Sequence, residues 1–174
     1  MLVTLSPEFA AYFGIKEPVS AGTAVMYFYG GTAFGDFMSG YLSQIFKNRK
    51  KIVYLYLIIM TISVPIFLFF NNSIDHFYMV CALLGIAAGY WAVFVTIASE
   101  QFGTNIRSTV TTTVPNFVRG GLVLLLTSFT FLKGHFTIVE SALIVGGVAI
   151  VIAFISLSRL DETYGKDLDY LENF

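Results

Sequence analysis

An arginine, Arg119, stands about halfway along the fourth of five long apolar stretches that fill most of this 174-residue chain. A guanidinium at that depth in hydrocarbon costs roughly 2.5 to 3.5 kcal/mol even on lenient insertion scales, so the chain must offer it a polar interior or a water-filled path. The stretches run over residues 20–46, 52–70, 77–98, 108–132 and 137–158, each near the ~20 residues that cross a bilayer core as a helix. With 56% hydrophobic and only 12% charged residues, a soluble domain is excluded. The expected fold is all-α and polytopic: an outer loop at 1–19, a five-helix transmembrane bundle at 20–158 and a cytoplasmic tail at 159–174.

Basic residues set the expected orientation, because cytoplasmic loops beside spans accumulate Lys and Arg. Lys47, Arg49, Lys50, Lys51, Arg107, Arg159 and Lys166 fall on one side, and only Lys16 and Lys133 on the other. The C-terminus is therefore expected in the cytoplasm, with the loops around Asn72 and His135 outside, in a plasma (inner) membrane. Glu8, Lys16 and Glu17 interrupt the first nineteen residues, so no signal peptide is expected there. The bilayer is one partner. Nucleic acid is not, since the net charge is −1 and no basic field exists to attract it. Cys81 is the single cysteine, and His76 and His135 lie in separate loops, so neither a metal site nor a cofactor is expected.

The first span carries a polar stripe, Tyr29, Thr32, Asp36, Ser39 and Ser43, at helical spacing, with Gly31 and Gly35 forming a small-residue pair that lets a neighbour approach closely. The second is aliphatic and aromatic apart from Thr61 and Ser63 and reads as largely lipid-facing. The third has Gly85 and Gly89 four apart, then Tyr90 and Trp91 deep in the span, where they either pack in the core or line a cavity. The fourth repeats the pattern of the first: Thr109, Thr112, Asn116 and Arg119 share a face beside Pro115. In the fifth, Glu140 reads as an interfacial carboxylate.

Counting ~1.5 Å per residue, Asp36 lies about 15 Å and Arg119 about 18 Å from the cytoplasmic ends of their helices. Similar depth predicts a common interior in which they pair, directly or through water. Such a pair either fixes helix register or serves a solute path. In the second case Arg119 attracts an anionic or hydrogen-bonding solute, and Asp36 is a proton or cation coupling site. Thr32, Asn116, Tyr90 and Trp91 complete that candidate pathway. A second constellation faces the basic loop. The basic run suffices by itself as a topology signal; on the sharper reading Glu100 bridges Arg107 and a basic residue such as Arg49, with Gln44 nearby, as a gate that forms and releases. The tail places Tyr164, Leu168 and Leu171 at helical spacing among Asp161, Glu162, Asp167, Asp169 and Glu172. A short surface helix docked through Lys50 or Lys51 is expected there.

Three motifs in order resemble the C-terminal half of a major facilitator superfamily transporter. Gly40-Tyr41-Leu42-Ser43-Gln44 before Lys47 to Lys51 is similar to the family's Gly-x-Leu-x-Asp-Arg loop, with Gln44 in place of the aspartate. Glu100-x-Phe102-x-Thr104-x-x-Arg107 resembles the turn after the tenth helix of sugar-porter-like members, with Gly103 for their proline, and Glu162-Thr163-Tyr164-Gly165-Lys166 resembles their sequence after the last helix. The resemblance implies that the spans correspond to helices eight through twelve, and that a seventh helix and an N-terminal half belong to the working unit.

The resulting expectation is secondary transport of a small polar or anionic solute, coupled to protons, by a chain that is a fragment or truncated form and works with the missing half or partner helices. The sugar-porter-like motifs favour a sugar and Arg119 favours a carboxylate. A non-transporting membrane scaffold or assembly subunit is the competing class. No enzymatic activity is expected, because no nucleophile motif or close carboxylate pair occurs in the spans.

Overall fold

The computed structural model describes residues 1–71, 73–169 and 171; Asn72, named above for its loop, and Glu172 of the tail lie outside them. Among the described residues the chain is helical throughout, with no strands. The helices are α1 Ser6–Tyr12, α2 Ala21–Ile45, α3 Arg49–Phe69, α4 Ile74–Ala88, α5 Trp91–Glu100, α6 Thr104–Lys133 and α7 Ile138–Arg159. Polar side chains start four of them, though not α6, whose cap position is Gly103. Ser20, Asn48, Ser73 and Thr137 each accept a backbone N–H of the first turn of α2, α3, α4 and α7, satisfying donors a helix start leaves without partners.

Among the described residues four segments are long and apolar enough to cross a membrane: Arg49–Phe69, Ile74–Glu100, Thr104–Lys133 and Ile138–Arg159. Helix α2 has the length, 25 residues or roughly 37 Å, but Asp36, its hydroxyl residues and its glycines dilute its apolar content. It packs against α4 more extensively than any other pair of helices here. Glycines permit this. A Cβ at Gly31 or Gly85 would overlap the carbonyl oxygen of Ala82 or Phe28 on the facing helix, and one at Gly89 would lie 2.5 Å from Gly35 Cα. The small-residue pairs of the first and third stretches therefore meet each other, backbone on backbone.

Three expectations change. The third stretch is not one continuous helix: it breaks at Gly89 (φ −79°, ψ 53°) and Tyr90 (φ −124°, ψ 18°) before α5 begins. Helix α3 is not largely lipid-facing, since Ile52, Val53, Tyr56, Leu57, Ser63, Val64, Phe67 and Leu68 are buried against its neighbours. Period-3.6 patterning cannot separate two apolar environments. The tail at 161–169 forms turns and extended chain rather than a surface helix; Glu162, Thr163 and Tyr164 instead bond side chains and backbone of the bundle.

Apolar side chains gather in two clusters. One, around Phe9, Phe67, Phe77, Leu84 and Phe129, joins α1 to α3, α4 and α6; the other, around Val53, Leu57, Val93, Ile97 and Leu157, lies toward the end carrying Arg49 and Glu100, termed here the basic end. Helix α6 stands apart. Of its 30 residues only Phe129 is buried.

Candidate functional site

Asp36 and Arg119 do not meet. Among the described residues no ion pair joins them; each instead addresses the start of α5. Asp36 Oδ1 accepts the backbone N–H of Ala92 at 3.1 Å, and the Arg119 guanidinium lies over the Trp91 ring, 6.0 Å from its centroid. No direct pair forms, because a helix break offers an N–H donor and a ring face between them, and each charge finds a partner there. Two opposite charges thus flank consecutive residues, Trp91 and Ala92.

Around this joint, Asn116 Oδ1 accepts from Arg119 Nη1 at 3.3 Å while Asn116 Nδ2 donates to Thr112 O at 3.0 Å. Asn116 thus ties the Arg119 side chain to the backbone of α6 one turn earlier. Trp91, Asn116 and Arg119 are exposed and Asp36 is half-buried, so the arrangement is open on one side. Thr32 stands aside: its hydroxyl donates to Phe28 O within its own helix at 2.9 Å. Tyr90 packs edge-on against Tyr56, centroids 6.2 Å apart. Sequence reasoning passed over Tyr56, a buried residue whose hydroxyl donates to Gly35 O at 2.8 Å. A phenol in the middle of an apolar run was the available signal, since a buried Tyr O–H almost always finds an acceptor.

On the exposed side of α6, Thr112, Thr113, Asn116, Phe117, Gly120, Gly121 and Leu124 line an open surface depression.

At the basic end the geometry is tighter. Arg49 donates from Nε to Glu100 Oε2 at 2.6 Å and from Nη2 to Oε1 at 2.7 Å, a two-pronged pair whose side chains are only 13% and 11% exposed. Thr163 Oγ1 donates to Glu100 Oε2 at 2.7 Å, and the Arg49 guanidinium lies over the Tyr164 ring. Glu162 caps α3 from the tail, accepting the N–H groups of Arg49 at 2.9 Å and Lys50 at 3.0 Å, and those of Thr163 and Tyr164. Partial burial works to raise its pKa, but these four donors together outweigh it and hold the carboxyl below its ordinary value.

The expected bridge from Glu100 to Arg107 is absent. Arg107 donates to the carbonyl oxygens of Ser99, Phe102 and Leu168, because the turn between α5 and α6 curls its own acceptors around the guanidinium. Gln44 accepts from the Tyr164 hydroxyl at 3.4 Å. Lys50 Nζ holds the carbonyl oxygens of Ser158 and Leu160, whereas the Lys51 backbone N–H donates to the helix cap Asn48. Four of the residues singled out from sequence, Glu100, Arg49, Gln44 and Arg107, thus sit in one network that the tail threads; Arg107 reaches it through Leu168.

The sequence profile of the Major Facilitator Superfamily matches residues 1–169. No curated protein and no solved structure matches the chain. Helices long enough to span a bilayer, a polar joint in their midst and a match over nearly the whole length agree: the chain is an integral membrane protein of transporter type and belongs to the Major Facilitator Superfamily.

Proposed function

We propose that the chain is the C-terminal-half portion, helices eight through twelve, of a secondary transporter that moves a small anionic or polar solute coupled to protons. The observation that carries this is the pair of opposite charges, Asp36 and Arg119, placed on either side of one mid-bundle helix break and not neutralising each other. Arg119 keeps Nε and Nη2 without a hydrogen-bond partner among the described residues, and those donors fit a carboxylate. Asp36 supplies the carboxylate for the coupling role, on the opposite side of the break from Arg119. The exposed polar face of α6 supports a working unit completed by further helices, the other half of such a transporter, across which alternating access is organised. The basic end then faces the cytoplasm of a plasma membrane, with Glu100, Arg49 and the tail as its closed gate.

The test is uptake by the complete working unit in proteoliposomes, using labelled monocarboxylates and sugars with and without a pH gradient. Arg119→Gln is expected to abolish uptake of the carboxylate, and Asp36→Asn to leave uptake indifferent to the gradient. Uptake unchanged by both substitutions overturns the reading. It would then favour an assembly role, for which the one feature in support is the α6 surface left open to partner helices.

A further inference from the structure

We infer that Asp36 is a positioning residue. Its carboxylate caps α5 from a different helix, and by holding the α4–α5 break it sets Trp91 against Arg119. This goes beyond the coupling role above, which concerns the charge of Asp36. Here the acceptor atom and its place matter, and only the consequence for transport rests on that reading.

The break needs an external support. Tyr90 occupies the cap position of α5 and contributes no side-chain hydrogen bond, and neither Gly89 nor Tyr90 has helical dihedrals. Backbone donors opened in this way are costly inside a membrane unless something accepts from them. Of the first-turn donors of α5, the N–H of Ala92 is the one met by a side chain from outside, Asp36 on α2. A carboxylate at a helix N-terminus gains both a charge-assisted bond and the favourable end of the helix dipole.

Asp36 is delivered to that spot by the glycine contact. A Cβ at Gly89 would lie 2.5 Å from Gly35 Cα and 2.6 Å from Asp36 N, so the backbone of α2 is pressed against the break itself. Tyr56 pins the same point from the third side by donating to Gly35 O. Three helices therefore meet at the break. With the break held, Trp91 projects between Phe94, at 5.6 Å between centroids, and the Arg119 guanidinium. Trp91 is the residue next to the capped N–H, so loss of the cap changes the backbone from which its ring projects.

Trp91 is the single tryptophan of the chain, which makes its fluorescence a local reporter that needs no transport. In the full chain reconstituted in lipid nanodiscs, Asp36→Asn retains a side-chain oxygen at the same distance, and its emission maximum and acrylamide quenching are expected to match wild type. Asp36→Ala removes the acceptor and is expected to shift the maximum and increase the quenching. Should the alanine variant fail to reconstitute, Asp36→Glu takes its place: it keeps the charge, displaces the acceptor by one methylene and is expected to shift the emission. An unchanged spectrum in Asp36→Ala, or a shift in Asp36→Asn, overturns the inference. Asp36→Asn also separates the two ideas, because its coupling defect is read in uptake and its positioning competence in the spectrum.

Discussion

Arg49 and Glu100 face each other through two parallel hydrogen bonds, 2.6 and 2.7 Å long, with both side chains almost out of solvent. Removing one member leaves the other buried and uncompensated. Glu100→Ala is therefore expected to destabilise the detergent-solubilised chain by about 3 to 5 kcal/mol. The double variant Arg49→Met, Glu100→Leu recovers most of that loss. A thermal melt of the three proteins checks it, and equal melting of the single and double variants would refute it.

Thr163 contributes a hydroxyl bond to the same carboxylate while being buried itself. Thr163→Val preserves shape and removes the donor, for an expected cost of roughly 1.5 to 3 kcal/mol, the range for a bond to a charged group. The same variant is expected to expose the tail to protease, which an intact network protects.

The tail also carries a pH dependence of known sign. Glu162 has a folded-state pKa below its ordinary 4.5, so its stabilisation is fully present above that value and is lost as pH falls through the lowered one. Protection of the tail in hydrogen exchange is expected to hold at neutral pH and to fade only below about pH 4.5. Glu162→Gln removes this acid-side loss and weakens protection at pH 7 instead. A wild-type profile in that variant would contradict the assignment.

Glycines predict two opposite outcomes. Gly85→Ala drives a methyl into the Phe28 carbonyl and is expected to cost about 1 to 3 kcal/mol or more, because backbone cannot step aside. Gly30→Ala and Gly120→Ala meet nothing within 4 Å and are expected to stay near wild type in the same melt.

At the opposite end, the ion pair of Lys133 with Glu8 is solvent-exposed, so Glu8→Gln is expected to cost no more than about 1 kcal/mol. Phe9 of the same short helix is fully buried among Phe13, Phe67 and Phe129. Phe9→Ala is expected to cost about 3 to 5 kcal/mol. Differential scanning of the two variants tests whether α1 is held by its ring or by its charge.

Much of this architecture was legible in the residue pattern, because a bilayer core admits few solutions: a backbone without water must close its hydrogen bonds internally, so long apolar stretches become helices. The small-residue pairs at Gly31/Gly35 and Gly85/Gly89 announced a close contact, and Arg49 was named beside Glu100. What misled was reading charges as if only other charges could answer them. Arg107 is satisfied by carbonyl oxygens and Asp36 by an N–H group, and backbone partners leave no trace in the identity of a residue. Tyr56 was missed for a related reason: an aromatic ring in an apolar run looks alike whether it faces lipid or donates to a glycine carbonyl.

By itself the sequence determined the all-helical class, since a backbone in a bilayer core must close its hydrogen bonds within long apolar helices. Only the tertiary structure decided that the third stretch breaks at Gly89, that Asp36 caps the piece beyond it and that the tail straps the basic end. Those outcomes depend on which backbone groups packing leaves open, a property of how helices meet rather than of any one stretch of chain.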